Sequence, residues 1–272
     1  MSAARKFQPT NKRSVGELNR SEAKALRDIR AWLDDVQVVA QKHIRWAMPV
    51  ETFQIPKGLD KALQDLGRAS LQLGRRQGKR ESTALKRHYR KTGKKLAMAP
   101  PSFSSFKVTP VEAIEAMDAR ENYIAGQVSD DLFNDIKQIL KDNLDDIVNR
   151  SEAELALQEI MQTYNDRASL IVTTETTYGV NRGRLASFAE DGVDYVEFLG
   201  VRDDRQSDIC RSRHGKVMRM DDPRLANNTP PLHGRCRSLL SPIFSAFEPD
   251  VVKDPERNNW DGVHALPSGW RK

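Results

Sequence analysis

Both cysteines of this chain, Cys210 and Cys236, lie close in sequence to two of its five histidines, His214 and His233. Cys210-x3-His214 and His233-x2-Cys236 offer two thiolates and two imidazoles, the number and type that close a tetrahedral structural zinc site. Eighteen residues separate the two halves, an acceptable knuckle spacing. The same residues also suit a plainer arrangement: two reduced, buried cysteines beside a turn, with His233 hydrogen-bonded to backbone. Just upstream, Asp203 and Arg205 allow two readings of their own. A carboxylate beside His233 has the chemistry of a general base, whereas a paired Asp and Arg commonly fix a loop. The sequence holds no GxSxG, P-loop, HExxH or dinucleotide fingerprint. The expectation is therefore no enzyme, and no cofactor beyond that structural zinc.

The elements that must position these side chains are mixed. A helix running past Tyr178 and Leu185 to Phe188 is stopped by Asp191-Gly192. Tyr195 to Leu199 is aromatic and β-branched and predicts a strand. Asp203 to Ser207 form a polar turn, and Val217–Met220 and Cys236–Leu240 predict two further short strands. Helices followed by short strands imply a small α+β unit. Pro242 and the polar residues after it suggest a tail whose Trp260 and Trp270 would dock on a neighbour.

Two motifs face each other across a polar spacer: Asp203-x-Arg205-x-Ser207-x-x-Cys210 with His214-Gly215, and Pro230-Pro231-Leu232-His233-x-x-Cys236-Arg237. They follow a helix carrying Thr174-Glu175 and Asn181-x-Gly183-Arg184. In this order and combination, residues 171–243 resemble the C-terminal domain of the phage Mu F-like minor head proteins, also called head morphogenesis proteins. Thr174, Glu175, Asp203, Arg205, Ser207, Cys210, Gly215, Pro231, His233, Cys236 and Arg237 carry the resemblance. Thr173 stands where the family usually has arginine. Arg213 and Ser238 stand where many members have further cysteines, so a four-cysteine site is out of reach.

The resemblance implies a virion component attached to the portal protein or the major capsid protein, with a scaffolding protein as a further partner. It implies roles in procapsid assembly and in DNA packaging or delivery, within the head interior or portal region after assembly in the host cytoplasm. Alternative readings are a metal-assisted nuclease or toxin-associated phage protein, although no separate toxin domain fits in 272 residues, and a cellular nucleic-acid adaptor without a virion.

Charge adds an independent clue. Residues 1–100 carry 23 Lys+Arg against 9 Asp+Glu, residues 101–170 carry 6 against 14, and the remainder is balanced. A basic part able to meet phosphate and an acidic part able to meet a basic protein follow from this, as does a merely solvated helical surface. The densest basic run comprises Arg75, Arg76, Lys79, Arg80, Lys86, Arg87, Arg90, Lys91, Lys94 and Lys95, opposed only by Glu81. Interrupted by glycine and serine, it predicts a mobile loop or a helix ordered by a polyanion, binding viral DNA without sequence preference.

Elsewhere the periodicity is helical. Ser14-Val15-Gly16-Glu17 has the form of a capping box, ahead of a stripe of Leu26, Ile29, Leu33, Val36, Ala40 and Ile44. Pro49 and Pro56 separate it from a second stripe at Leu59, Leu63, Leu66 and Leu73, an αα-hairpin. Thr109-Pro110-Val111-Glu112, Ser129-Asp130-Asp131 and Ser151-Glu152 each predict a helix start. These apolar faces are core, or in part a dock for another protein. The N-terminus has no apolar stretch behind its charges, and no run of eighteen apolar residues occurs, which predicts a soluble, unexported chain without membrane contact.

The fold expected is mainly α and elongated, with a small C-terminal α+β domain. Its parts are a basic helical hairpin and mobile segment (1–100), an acidic helical region (101–170), the Mu F-like domain (171–245) and a tail (246–272).

Overall fold

The computed structural model describes residues 12–93, 110–144, 150–201, 204, 206–268 and 270. Four long helices dominate: α1 (Lys12–Trp46), α2 (Leu59–Lys91), α3 (Pro110–Leu144) and α4 (Arg150–Glu190). At 1.5 Å per residue α4 alone spans about 60 Å, so the mainly helical, elongated architecture is the one the periodicity predicts. A small α+β region follows: β1 (Tyr195–Leu199), α5 (Asp208–Arg213), β2 (Val217–Arg219), α6 (Leu225–Asn228) and β3 (Leu239–Ile243), then α7 (Pro249–Lys253) and α8 (Pro255–Asn258). No helix among the described residues is long and apolar enough to cross a membrane.

The apolar stripes are consumed within the chain. Ile29, Leu33, Val36 and Ala40 of α1 pack with Leu63 and Leu66 of α2, Leu132 and Ile136 of α3, and Leu157, Met161 and Tyr164 of α4. The proline-bounded link between α1 and α2 is pinned by Trp32, whose Nε1 donates to Pro56 O at 2.7 Å. There Phe53 is buried and stacks on Phe133 with ring centroids 5.7 Å apart.

Several helix boundaries differ from the expectation. α1 begins at Lys12, so Ser14 lies inside it rather than capping it. Thr109 lies outside the described residues, and α3 starts at Pro110 and runs unbroken through Ser129-Asp130-Asp131. Val128, Leu132 and Ile136 continue its buried face across that point, and burial outweighs the local capping preference.

The basic run is also neither a loop nor a helix awaiting a polyanion. Through Lys91 it is the second half of α2, packed against α4; Lys94 and Lys95 lie outside the described residues. The glycines and serines that break the apolar pattern are what permit this packing. A Cβ on Gly74 would lie 2.0 Å from Val180 O, and one on Gly183 would lie 2.0 Å from Leu71 O. With Ser70 and Gly78 on one helix and Gly179 on the other, the two backbones approach more closely than larger side chains allow.

The sheet has the order β2-β1-β3, antiparallel throughout, with Val196 opposite both Met218 and Pro242. β3 lies three residues later than expected and includes Pro242, because the backbone at 236–238 bonds to α4 instead of to β1. Trp260 does not need a neighbouring molecule: it is buried on its own chain, Nε1 donating to Val217 O at 3.0 Å. Trp260 on β2 and α4 side chains on β3 thus cover the two outer edges of the sheet.

Candidate functional site

Thr174, Thr177, Asn181 and Arg184 recur at intervals of three and four, so they share one face of α4. That face holds the segment that carries Cys236. Thr174 Oγ1 accepts from Arg235 N at 3.1 Å, and Thr177 Oγ1 donates to Cys236 O at 2.6 Å. Asn181 behaves like a strand neighbour: its Nδ2 donates to Ser238 O at 3.1 Å and its Oδ1 accepts from Leu240 N at 3.0 Å. Arg184 donates to Leu240 O from Nε and Nη2, at 3.0 and 2.7 Å. Its other side meets Glu81 of α2, Nη1 to Oε1 at 2.8 Å. Burial pushes the Glu81 carboxyl up against the opposing pull of Arg184.

Glu175 turns to α3. Arg120 reaches it with Nε and Nη2 at 2.6 and 2.9 Å and lies 4.2 Å from the centroid of the Tyr178 ring. Adjacent to this pair Glu121 is fully buried, with neither carboxyl oxygen hydrogen-bonded among the described residues. Burial, and then the Glu175 charge, push its pKa up to about 9, so it is protonated at neutral pH.

Around the cysteines, Ser207 caps α5 by accepting from Cys210 N at 3.3 Å. Cys210 Sγ lies 3.7 Å from Cys236 Sγ and 3.2 Å from His233 Nε2, and Ser207 Oγ lies 2.8 Å from that same nitrogen. His233 Nδ1 is 2.8 Å from Gly234 O. A carbonyl only accepts, so Nδ1 carries the proton and Nε2 presents its lone pair to the sulfurs. The hydrogen bond from the Cys210 thiol, aided by His233 and backbone, holds Cys236 below the ordinary thiol range, and the same contact raises Cys210.

Of the four candidate ligands three converge: Cys210, His233 and Cys236 place their ligand atoms within 4.8 Å of one another. His214 stands apart, its Nδ1 accepting from Gly200 N at 3.1 Å. Among the other motif residues, Gly215 turns the chain at φ 83 and donates to Phe198 O at 2.8 Å. Pro231 follows a cis peptide, and Arg237 is exposed, its charge acting on Glu22 of α1. Asp203 and Arg205 lie outside the described residues. Arg213, in place of a family cysteine, is buried and ties α5 to Asn228 Oδ1 at 2.8 Å and His264 O at 2.8 Å. The sequence reading named Thr174, Asn181 and Arg184 but missed Thr177 and the shared face that holds the Cys236 segment, although the spacing was there to be seen.

A second feature lies on α2. Arg75, Arg76, Lys79, Arg80 and Arg87 line an open concavity of about 680 Å³ with Thr83, Ala84, Ser187 and Glu190. Arg75 bonds Glu190 at 2.7 Å, and Lys79 and Lys86 bond Asp191. Arg76, Arg87, Arg90 and Lys91 are exposed and form no ion pair among the described residues.

Residues 134–241 match the family model described as Phage Mu protein F like protein. The match covers under half of the chain, and it is this stretch that resembles the family. The matched stretch starts within α3, well before the motif-bearing residues, and ends in β3. No curated protein and no solved structure matches the chain.

Proposed function

We propose that this chain is a minor head protein that attaches to the portal or the inner capsid surface during assembly and contacts the packaged DNA without sequence preference. The observation that carries the reading is the Mu F-like domain of residues 134–241, joined through α2 to an exposed basic concavity. DNA at high concentration inside a head favours such a contact, because each phosphate neutralised releases a counterion.

The apolar stripes are buried in the chain's own core, so this contact falls to exposed side chains. Trp46, 72% exposed at the end of α1, is the largest of these. Aromatic side chains of this kind anchor protein interfaces. Co-expression of the full chain with the portal protein tests the reading. Co-purification that weakens at least tenfold in Trp46→Ser, with unchanged thermal stability, is expected. Failure of the wild-type chain to co-purify with either portal or capsid protein overturns it.

A further inference from the structure

We propose that Cys210, His233 and Cys236 form a three-ligand site for a soft divalent ion, zinc above all, with a fourth position on the Ser207 side left to water. The inference is independent of the assembly role. Two thiolates and one imidazole are a donor set that zinc accepts and that hard oxygen-seeking cations do not.

The geometry fits. With zinc–sulfur bonds of about 2.3 Å, two sulfurs at tetrahedral positions stand about 3.8 Å apart; Cys210 Sγ and Cys236 Sγ are 3.7 Å apart. The corresponding sulfur–nitrogen edge is about 3.5 Å, against 3.2 Å between Cys210 Sγ and His233 Nε2, a difference that a small rotation of the ring closes. The ring is already oriented for the task. Gly234 O accepts a hydrogen bond from Nδ1–H and leaves the Nε2 lone pair toward the sulfurs, the arrangement that metal-binding histidines rely on.

The ligands come from two elements with separate supports. Cys210 belongs to α5, which Arg213 holds to the C-terminal segment. Cys236 belongs to the segment hung on α4 by Thr177. An ion shared by them fastens α5 to that segment. His214 does not take part, because its Nδ1 receives the Gly200 amide. Ser207, whose hydroxyl now sits 2.8 Å from His233 Nε2, is freed when the ion takes that lone pair and can bond a metal-bound water.

Zinc content of the full chain, purified under reducing conditions and dialysed, tests this together with the absorption of the cobalt-loaded protein. One zinc per chain is expected, retained in His214→Ala and lost in Cys210→Ser and Cys236→Ser. Cobalt is expected to give a thiolate charge-transfer band and the intense d–d bands of a four-coordinate site, shifted by added cyanide at the open position. Should the cysteine variants fail to fold, the wild-type cobalt spectrum decides alone. Absence of bound zinc and of the thiolate band, or a Cys210–Cys236 disulfide in the reduced preparation, overturns the site. Loss of the metal in His214→Ala, or a spectrum unmoved by cyanide, overturns the three-ligand assignment.

Discussion

Glu81 receives Arg184 at both ends of its guanidinium, Nη1 at 2.8 Å and Nη2 at 2.5 Å, in a pair buried between α2 and α4. The one acid in the basic run is therefore spent inside the molecule as the counter-ion of a residue that also holds β3. It does nothing to neutralise the basic surface. Removing one partner of such a pair strands a buried charge, at a cost of about 3–5 kcal/mol. Glu81→Ala is expected to lose that much in denaturant unfolding. Glu81→Leu combined with Arg184→Met is expected to recover a large part of it, whereas a double variant no better than the single one would contradict the pairing.

Glu121 makes the chain sensitive to pH. Its folded pKa of about 9 lies above the ordinary value of 4.5, so between those values the folded state holds a proton that the unfolded state releases. Its contribution is complete below about pH 4.5 and declines as pH rises toward 9. Glu121→Gln keeps the shape without the titration. At pH 8 it should be more stable than wild type by roughly 1–3 kcal/mol, with the gap closing toward pH 5. A pH-independent gap measured by chemical denaturation would sink this account.

The close approach of α2 and α4 predicts that added volume is punished there and tolerated elsewhere. Gly74→Ala and Gly183→Ala each place a methyl against backbone oxygen and are expected to cost at least about 1–3 kcal/mol. Gly126→Ala, in α3 with open space around it, should be neutral or slightly stabilising. Thermal melts of the three variants make the comparison.

Binding of DNA should depend on the exposed arginines and not on the lysines tied to Asp191. Arg76, Arg80 and Arg87 changed together to serine should lower the slope of log affinity against log salt by about 2–3, measured on duplexes of two unrelated sequences. Equal affinity and slope in variant and wild type would remove DNA contact from this face.

What the residue pattern revealed and what it concealed have physical reasons. The strand at Tyr195–Leu199 was legible to the residue because aromatic and β-branched content is a local signal. The pairing of the Cys210 and His233-x2-Cys236 motifs was legible as a combination of types. Glycine at 74 and 78 was misleading, since the same residue that breaks an isolated helix lets two helices touch, and only the partner decides which. His214 shows the limit of spacing: it has the right type at a plausible distance, yet a backbone amide claims its lone pair. Arg184 and Glu81 lie 103 residues apart, and no local pattern connects them.

The central claim, a minor head protein, is tested most directly by quantitative mass spectrometry of purified procapsids and virions. A few copies of this chain per particle, at constant ratio to the portal protein through successive purification steps, is the result this account predicts. Its absence from both particles, in cells that express the chain normally, would contradict it.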